Sequence, residues 1–194
     1  MVYQAGVDNK KGIDWTARYH FLPGDLIRVE NEFRTGKGFA DLPRVGVRLA
    51  LLQGFEHVHW NGRGPWENYP DRKAGALVGV YDNTVMGEYV PYVMPQEHGL
   101  KCDARWVELA HFNGTTVRIA AEPSFAFSAS HYASEDLSKA LHTYDIKARP
   151  ETLLCLDAAH RGVGTASCGP DTLEKYKLTG SKFRLVYTLS AREE

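Results

Sequence analysis

Trp60-Asn61-Gly62-Arg63-Gly64-Pro65-Trp66-Glu67-Asn68-Tyr69-Pro70-Asp71-Arg72 follows directly on Phe55-Glu56-His57-Val58-His59, and the contrast between the two pieces decides the fold. The first reads as a strand. The second holds two tryptophans, a tyrosine, two arginines, two acids, two asparagines, two glycines and two prolines, with no apolar period. It reads as a long loop at the end of a sheet, its turns set by glycine and proline. Without a ladder partner its backbone must be held by specific hydrogen bonds. Flat rings beside Arg, Glu, Asn and Asp suit a sugar, which stacks on aromatics and takes charge-assisted hydrogen bonds. The competing reading is a structural loop in which Arg63 and Arg72 pair with Glu67 and Asp71, while Trp66, Asn68 and Tyr69 pack it.

Working outward, residues 14–33 form two alternating segments around the turn signal Pro23-Gly24-Asp25, with Ile27, Val29 and Phe33 on one face and Arg28, Glu30 and Glu32 on the other. Val45, Val47, Leu49 and Leu51 alternate with Gly46, Arg48 and Ala50. Pro91 and Pro95 turn residues 88–99 into an extended connection, preceded by a short helix. Strands are expected over 105–109, 116–121 and 125–132, the first two joined through Asn113-Gly114, a hairpin signal. Ser134 caps a two-turn helix to His142 with Leu137, Ala140 and Leu141 as its apolar stripe. Strands at 152–157, 176–178 and 183–189 complete the chain, with a second irregular loop from His160 to Asp171. Roughly ten short strands and one short helix predict an all-β antiparallel sandwich.

At 194 residues, 43% hydrophobic and with net charge -1, the chain suits one globular domain over 1–194 and offers no surface for nucleic acid or membrane. No apolar run reaches membrane-spanning length and no signal peptide is visible, so a cytoplasmic location is expected. Cys102, Cys155 and Cys168 lack CxxC spacing and read as reduced thiols, Cys155 as core.

Glycoside hydrolysis needs two carboxyls about 5–10 Å apart. Glu67, Asp71 and Glu97 are the candidates, but arginines beside the first two would hold both ionised and leave no general acid. Glu97 and His98 form an alternative acid/base pair, and His131 stands in a strand. His57 and His59 share a strand face without a third metal ligand, so no metal site is predicted. Gly162-Val163-Gly164 lacks the third glycine and the βαβ context of a dinucleotide site.

Several of these segments, in order, carry a resemblance: Leu42-Pro43-Arg44-Val45-Gly46, the run from Gly62 to Lys73, Tyr89 through Gly99, Arg105-Trp106, and Gly162 through Pro170. Together they resemble the C-terminal small-chain domain of the large bacterial β-galactosidases of glycoside hydrolase family 2, over nearly the whole chain. The resemblance implies a supersandwich related to aldose mutarotases, here a fragment lacking the first strands of its domain. It also implies that the catalytic glutamates lie in a separate (β/α)₈ barrel, so this chain is expected to be inactive alone and to contain no catalytic residue. No cofactor is expected within it; the Mg and Na ions of the parent enzyme would bind elsewhere. Expected partners are a β-galactoside such as lactose, the remaining enzyme domains and further copies in a homo-oligomer. The late glycine-rich loop would line the sugar site through Ser167, Cys168 and Gly169. Well-studied members carry tryptophan at the position of Cys168, so stacking there is lost. The alternative function is an independent mutarotase-like enzyme using Glu97 and His98.

Overall fold

The computed structural model describes residues 2–8, 11–36, 39, 41–165 and 169–193. Its strands are β1 (Val2–Asp8), β2 (Lys11–Leu22), β3 (Leu26–Thr35), β4 (Arg44–Leu51), β5 (Phe55–Gly64), β6 (Leu77–Thr84), β7 (Lys101–His111), β8 (Thr116–Ser130), β9 (Thr152–His160) and β10 (Lys182–Arg192). Every pairing is antiparallel. The main path runs β1-β2-β3-β10-β8-β7-β5-β6, while β9 joins β4 to β8. The expected all-β sandwich is present.

β8 explains how one sheet encloses a core. Its first part pairs with β10 (Thr116↔Arg192 to Ala121↔Tyr187), and its last part pairs with β9 (Ala126↔Asp157 to Ser130↔Leu153). Glu122-Pro123-Ser124 lies between, where proline has no N–H for a ladder. The sequence reading broke the strand there; the chain instead continues and exchanges partners. Alternation then delivers Val29, Val58, Trp60, Val107, Leu109, Ile119, Phe127, Leu154, Leu156 and Leu185 to one buried cluster.

Trp60 anchors that cluster and corrects the loop boundary. It is fully buried, packs on Tyr81 and Phe127, and donates its indole N–H to the Arg63 carbonyl (3.1 Å). Residues 60–64 are therefore strand, paired with both β6 and β7 in part, and the irregular loop starts at Pro65. Lys101 lies under the same ring, 5.2 Å from its centroid and ion-paired with buried Glu88.

Other expectations fail locally. The helix is one turn, Ser134–Leu137, and Ala133 is its N-cap with no side-chain capping bond. Leu137 and Ala140 are buried as expected, but Leu141 is exposed. Residues 176–178 are not a strand; a 3-10 turn covers Glu174–Tyr176, and the Leu178 N–H donates to Asp41 instead of a ladder (2.9 Å). His131 lies just past β8. The 3-10 turn Met86–Glu88 matches the short helix expected before the proline-rich connection, which has no strand.

Candidate functional site

The arginines and acids of the motif pair with neighbouring segments and carbonyls, not with one another, which corrects the self-paired staple. Arg63 Nε donates to Asp103 Oδ2 (2.5 Å), and its Nη1 donates to the carbonyls of Lys73 (3.1 Å) and Ala76 (2.7 Å). Lys73 Nζ meets the same Asp103 carboxylate at 3.0 and 2.9 Å. Burial pushes the Asp103 carboxyl up, but Arg63 and Lys73 hold it below its ordinary range. Glu67 accepts from the Tyr92 hydroxyl and from the Gly99 N–H (2.9 Å). Gly99 has φ +78, a conformation that favours glycine.

Asn68 is fully buried and replaces a strand partner. Its Oδ1 accepts from the Cys102 N–H (2.8 Å), its Nδ2 donates to the Trp66 carbonyl (3.0 Å), and its backbone N–H donates to Leu100 (2.7 Å). Trp66 does no packing of this kind; it is 82% exposed.

Asp71 and Arg72 clasp the second irregular loop. Asp71 accepts from the N–H groups of Val163 (3.1 Å) and Gly164 (2.7 Å) and from the Thr172 hydroxyl (3.0 Å), while Arg72 donates to the Gly164 carbonyl (2.6 Å). Burial raises the Asp71 carboxyl, but the three donors outweigh it and hold it low. The fit is close: a Cβ at Gly162 would lie 2.6 Å from Thr172 Oγ1 and 2.7 Å from Asp71 Cγ. Thr165 and Pro170 close the base of the second loop, with the Thr165 N–H and hydroxyl each 3.2 Å from the Pro170 carbonyl. Gly169 donates its N–H to the Thr165 carbonyl (2.6 Å); Ser167 and Cys168 lie outside the described residues.

Glu97 and His98 line one cavity without bonding to each other. Glu97 Oε2 accepts from the Tyr69 hydroxyl (2.7 Å); Oε1 lies 3.9 Å from Arg44 and 3.7 Å from His160 Nε2. Burial pushes this carboxyl up, and His160, Tyr69 and Arg44 bring it net below the ordinary glutamate range. Burial lowers His160, but Glu97 raises it on balance. His98 Nδ1 lies 3.0 Å from the Gln96 carbonyl, and its Nε2 has no hydrogen-bond partner, nor has Glu97 Oε1. Arg44 also binds buried Asp157 through two bonds, 3.1 and 2.5 Å. Cys155, expected in the core, instead lines this cavity; burial raises its thiol and that of Cys102, the latter to about 12.

Arg44, His160, Asp157 and Tyr92 are the residues that sequence reading missed. Arg44 and His160 are directly opposed in the β4–β9 pairing, a register that no local pattern reveals. His57 and His59 stand exposed on β5, His59 edge-on to Trp106 at 5.0 Å. Among the described residues no three His, Cys, Asp or Glu converge as a metal-ligand set, and no helix is long and apolar enough to cross a membrane.

Comparison with known proteins supplies the family. A β-galactosidase of Vibrio vulnificus (strain YJ016) is 32% identical over 186 residues, covering 94% of this chain and 17% of that protein. One from Arthrobacter sp. (strain B7) is 34% identical over 177 residues, 88% of this chain and 17% of its own. A third, from Kluyveromyces lactis, is 35% identical over 151 residues, 77% and 14% respectively. The chain thus spans about a sixth of the length of the first two relatives. Residues 2–189 match the family described as beta galactosidase small chain, and the chain belongs to that family.

Proposed function

We propose that the chain acts as a non-catalytic C-terminal domain of a family 2 β-galactosidase, where it lines the galactoside site with the loop carrying Ser167, Cys168 and Gly169. The observation that supports this most is the clasp of Asp71 and Arg72 on Val163 and Gly164. A loop fixed at its base by three donors on one carboxylate can present its tip with little entropic loss on binding. The carboxylates near it are committed to structure: Glu67, Asp71 and Asp103 each accept at least two hydrogen bonds. The ions of the parent enzyme and its catalytic glutamates then belong to its other domains, and the setting is cytoplasmic.

The same reading gives a use to the sheet edge. β6 ends the main sheet path and exposes Leu77, Val78 and Val80 at 73%, 50% and 58%. Apolar edges of this kind are covered in stable proteins, here by the remaining domains or by another copy in the oligomer.

The test is made on the parent enzyme. Cys168→Trp restores an aromatic surface worth about 1 kcal/mol, so KM for lactose falls several-fold and the acceptor range in transglycosylation narrows, while Cys168→Ser changes neither. Loss of turnover in Cys168→Ser, or unchanged kcat/KM for every substrate in Cys168→Trp, contradicts the reading. The mutarotase alternative draws on Glu97 and His98 lining one cavity. Glu97 is held ionised by three partners and is a weak base, so polarimetry of fresh α-galactose with this chain shows only the buffer rate; an enzyme-dependent rate abolished by His98→Asn favours the alternative.

A further inference from the structure

One ring stands where three irregular segments meet. His160 ends β9 and opens the second irregular loop. It packs against Tyr69 of the first loop, ring centroids 5.5 Å apart, and its Nε2 faces Glu97 of the connection before β7. The side chain is 7% exposed. Its Nδ1 lies 2.7 Å from the carbonyl of Arg161, the next residue of the second loop. The peptide unit of that carbonyl continues into Gly162, whose N–H donates to Tyr176 (3.0 Å), and then into the two N–H groups that Asp71 binds.

The neighbours fix the number of protons on this ring. A carbonyl only accepts, so Nδ1 carries one. In the neutral ring Nε2 is then an acceptor, and it faces Glu97 Oε1, 3.7 Å away, another acceptor and one that makes no hydrogen bond. Two buried lone pairs turned toward each other repel, and a second proton on the ring makes the same contact attractive. Burial works against that proton, but Glu97 and Asp157 favour it on balance. Arg44, directly opposite His160 on β4, opposes it and is itself committed to Asp157 by two bonds. The Arg161 side chain turns away to Asp41 and Asp171. Tyr69 donates to Glu97 Oε2 (2.7 Å) and so keeps the carboxylate beside the ring. A ring that loses its second proton cannot keep both the Arg161 bond and its place against Glu97 without setting acceptor against acceptor. Whichever contact gives way, the start of the second loop loses a hold.

We propose that His160 is a positioning residue for the galactoside site: its doubly protonated ring ties the start of the second loop to Glu97, and loss of one proton loosens that loop and weakens substrate binding. This rests on the loop reading given under Proposed function. The ring acts through the loop backbone. Its pKa is raised above 6.5, so the tie is complete below that value and is lost as pH rises through the folded-state pKa.

Two readouts test this. In the 194-residue chain, an NMR pH titration follows the His160 ring nitrogens and the amides of Gly162, Val163 and Gly164. Ring and amides move together with a midpoint above 6.5 in the wild type, and Glu97→Gln lowers that midpoint. In His160→Gln, which keeps a donor and does not titrate, the amide step is gone. In the parent enzyme, KM for lactose in the wild type, divided by that of His160→Gln, rises by about twofold to fivefold between about pH 6 and about pH 9. The corresponding ratio of kcat shows no such step. Amides that stay still while the ring titrates overturn the proposal, and this wild-type result decides it even if His160→Gln does not fold. A flat KM ratio in an enzyme whose KM responds to Cys168→Trp overturns it too and leaves the loop reading standing. KM unmoved by both substitutions overturns the loop reading and this proposal with it.

Discussion

Two charged regions lie on adjacent segments of this molecule and differ in one respect. Around the loop 65–76 each charged side chain of the motif, Arg63, Glu67, Asp71, Arg72 and Lys73, has a close partner in a neighbouring segment or carbonyl. Around Glu97 and His98 two buried atoms make no hydrogen bond: His98 Nε2, and Glu97 Oε1, which has only the longer contacts to His160 and Arg44. The first arrangement is architecture: a loop without a ladder partner needs its polar groups satisfied before it can hold a shape. The second leaves hydrogen-bonding capacity unused inside the fold. Richness in charge and aromatics pointed to the loop as the binding element, yet its only fully exposed ring, Trp66, packs against nothing that anchors it.

Mutation separates the two regions, beginning with Arg44, which holds both Glu97 and Asp157. Arg44→Met leaves Asp157, 2% exposed, without its guanidinium. Breaking a buried pair from one side costs about 3–5 kcal/mol, to be read from denaturant unfolding; a loss below 1 kcal/mol means that Asp157 finds another partner. Arg63→Ala removes the three bonds by which β5 holds Asp103 and the loop carbonyls of Lys73 and Ala76, and lowers stability by about 1–3 kcal/mol.

The Glu97–His160 contact adds a pH signature. His160 is raised above 6.5, so its contribution is present below that value and is lost as pH rises through the folded-state pKa. Glu97 is lowered below 4.5, so its contribution is present above that value and is lost on acidification through its folded-state pKa. The pair stabilises most between 4.5 and 6.5. The stability difference between wild type and His160→Gln peaks in that window and shrinks by about 1 kcal/mol toward alkaline pH; a difference that grows with pH reverses the assignment. Trp66→Ala, at the small end, changes stability by less than about 0.5 kcal/mol.

Much of the fold was legible because it is local. The Asn113-Gly114 hairpin forms, Gly114 taking φ +92 and donating to His111 (3.0 Å). The β3 face also holds, Val29 and Phe33 buried with Asn31, whose amide accepts from Trp15 (3.0 Å) and donates to Leu185 (3.4 Å). What could not be read depends on pairing across the chain. Proline at 123 signals a break, but only the positions of β9 and β10 turn that break into a change of partner. The ion pairs of the loop failed for the same reason. Arg63 and Glu67 are four residues apart, whereas Asp103 and Gly99 reach them only because β7 lies beside β5.

The role proposed for the loop 65–76 is to fix the base of the second irregular loop through Asp71 and Arg72. The direct measurement is steady-state kinetics on lactose of the parent β-galactosidase carrying Asp71→Ala, beside the same enzyme carrying Glu67→Ala. Asp71→Ala frees three donors at the base of the second loop and drops kcat/KM by about tenfold through KM, while Glu67→Ala, folded to the same extent, stays within about twofold. Equal losses in both variants, or an unchanged KM in Asp71→Ala, contradict the account and reduce the clasp to a feature of stability alone.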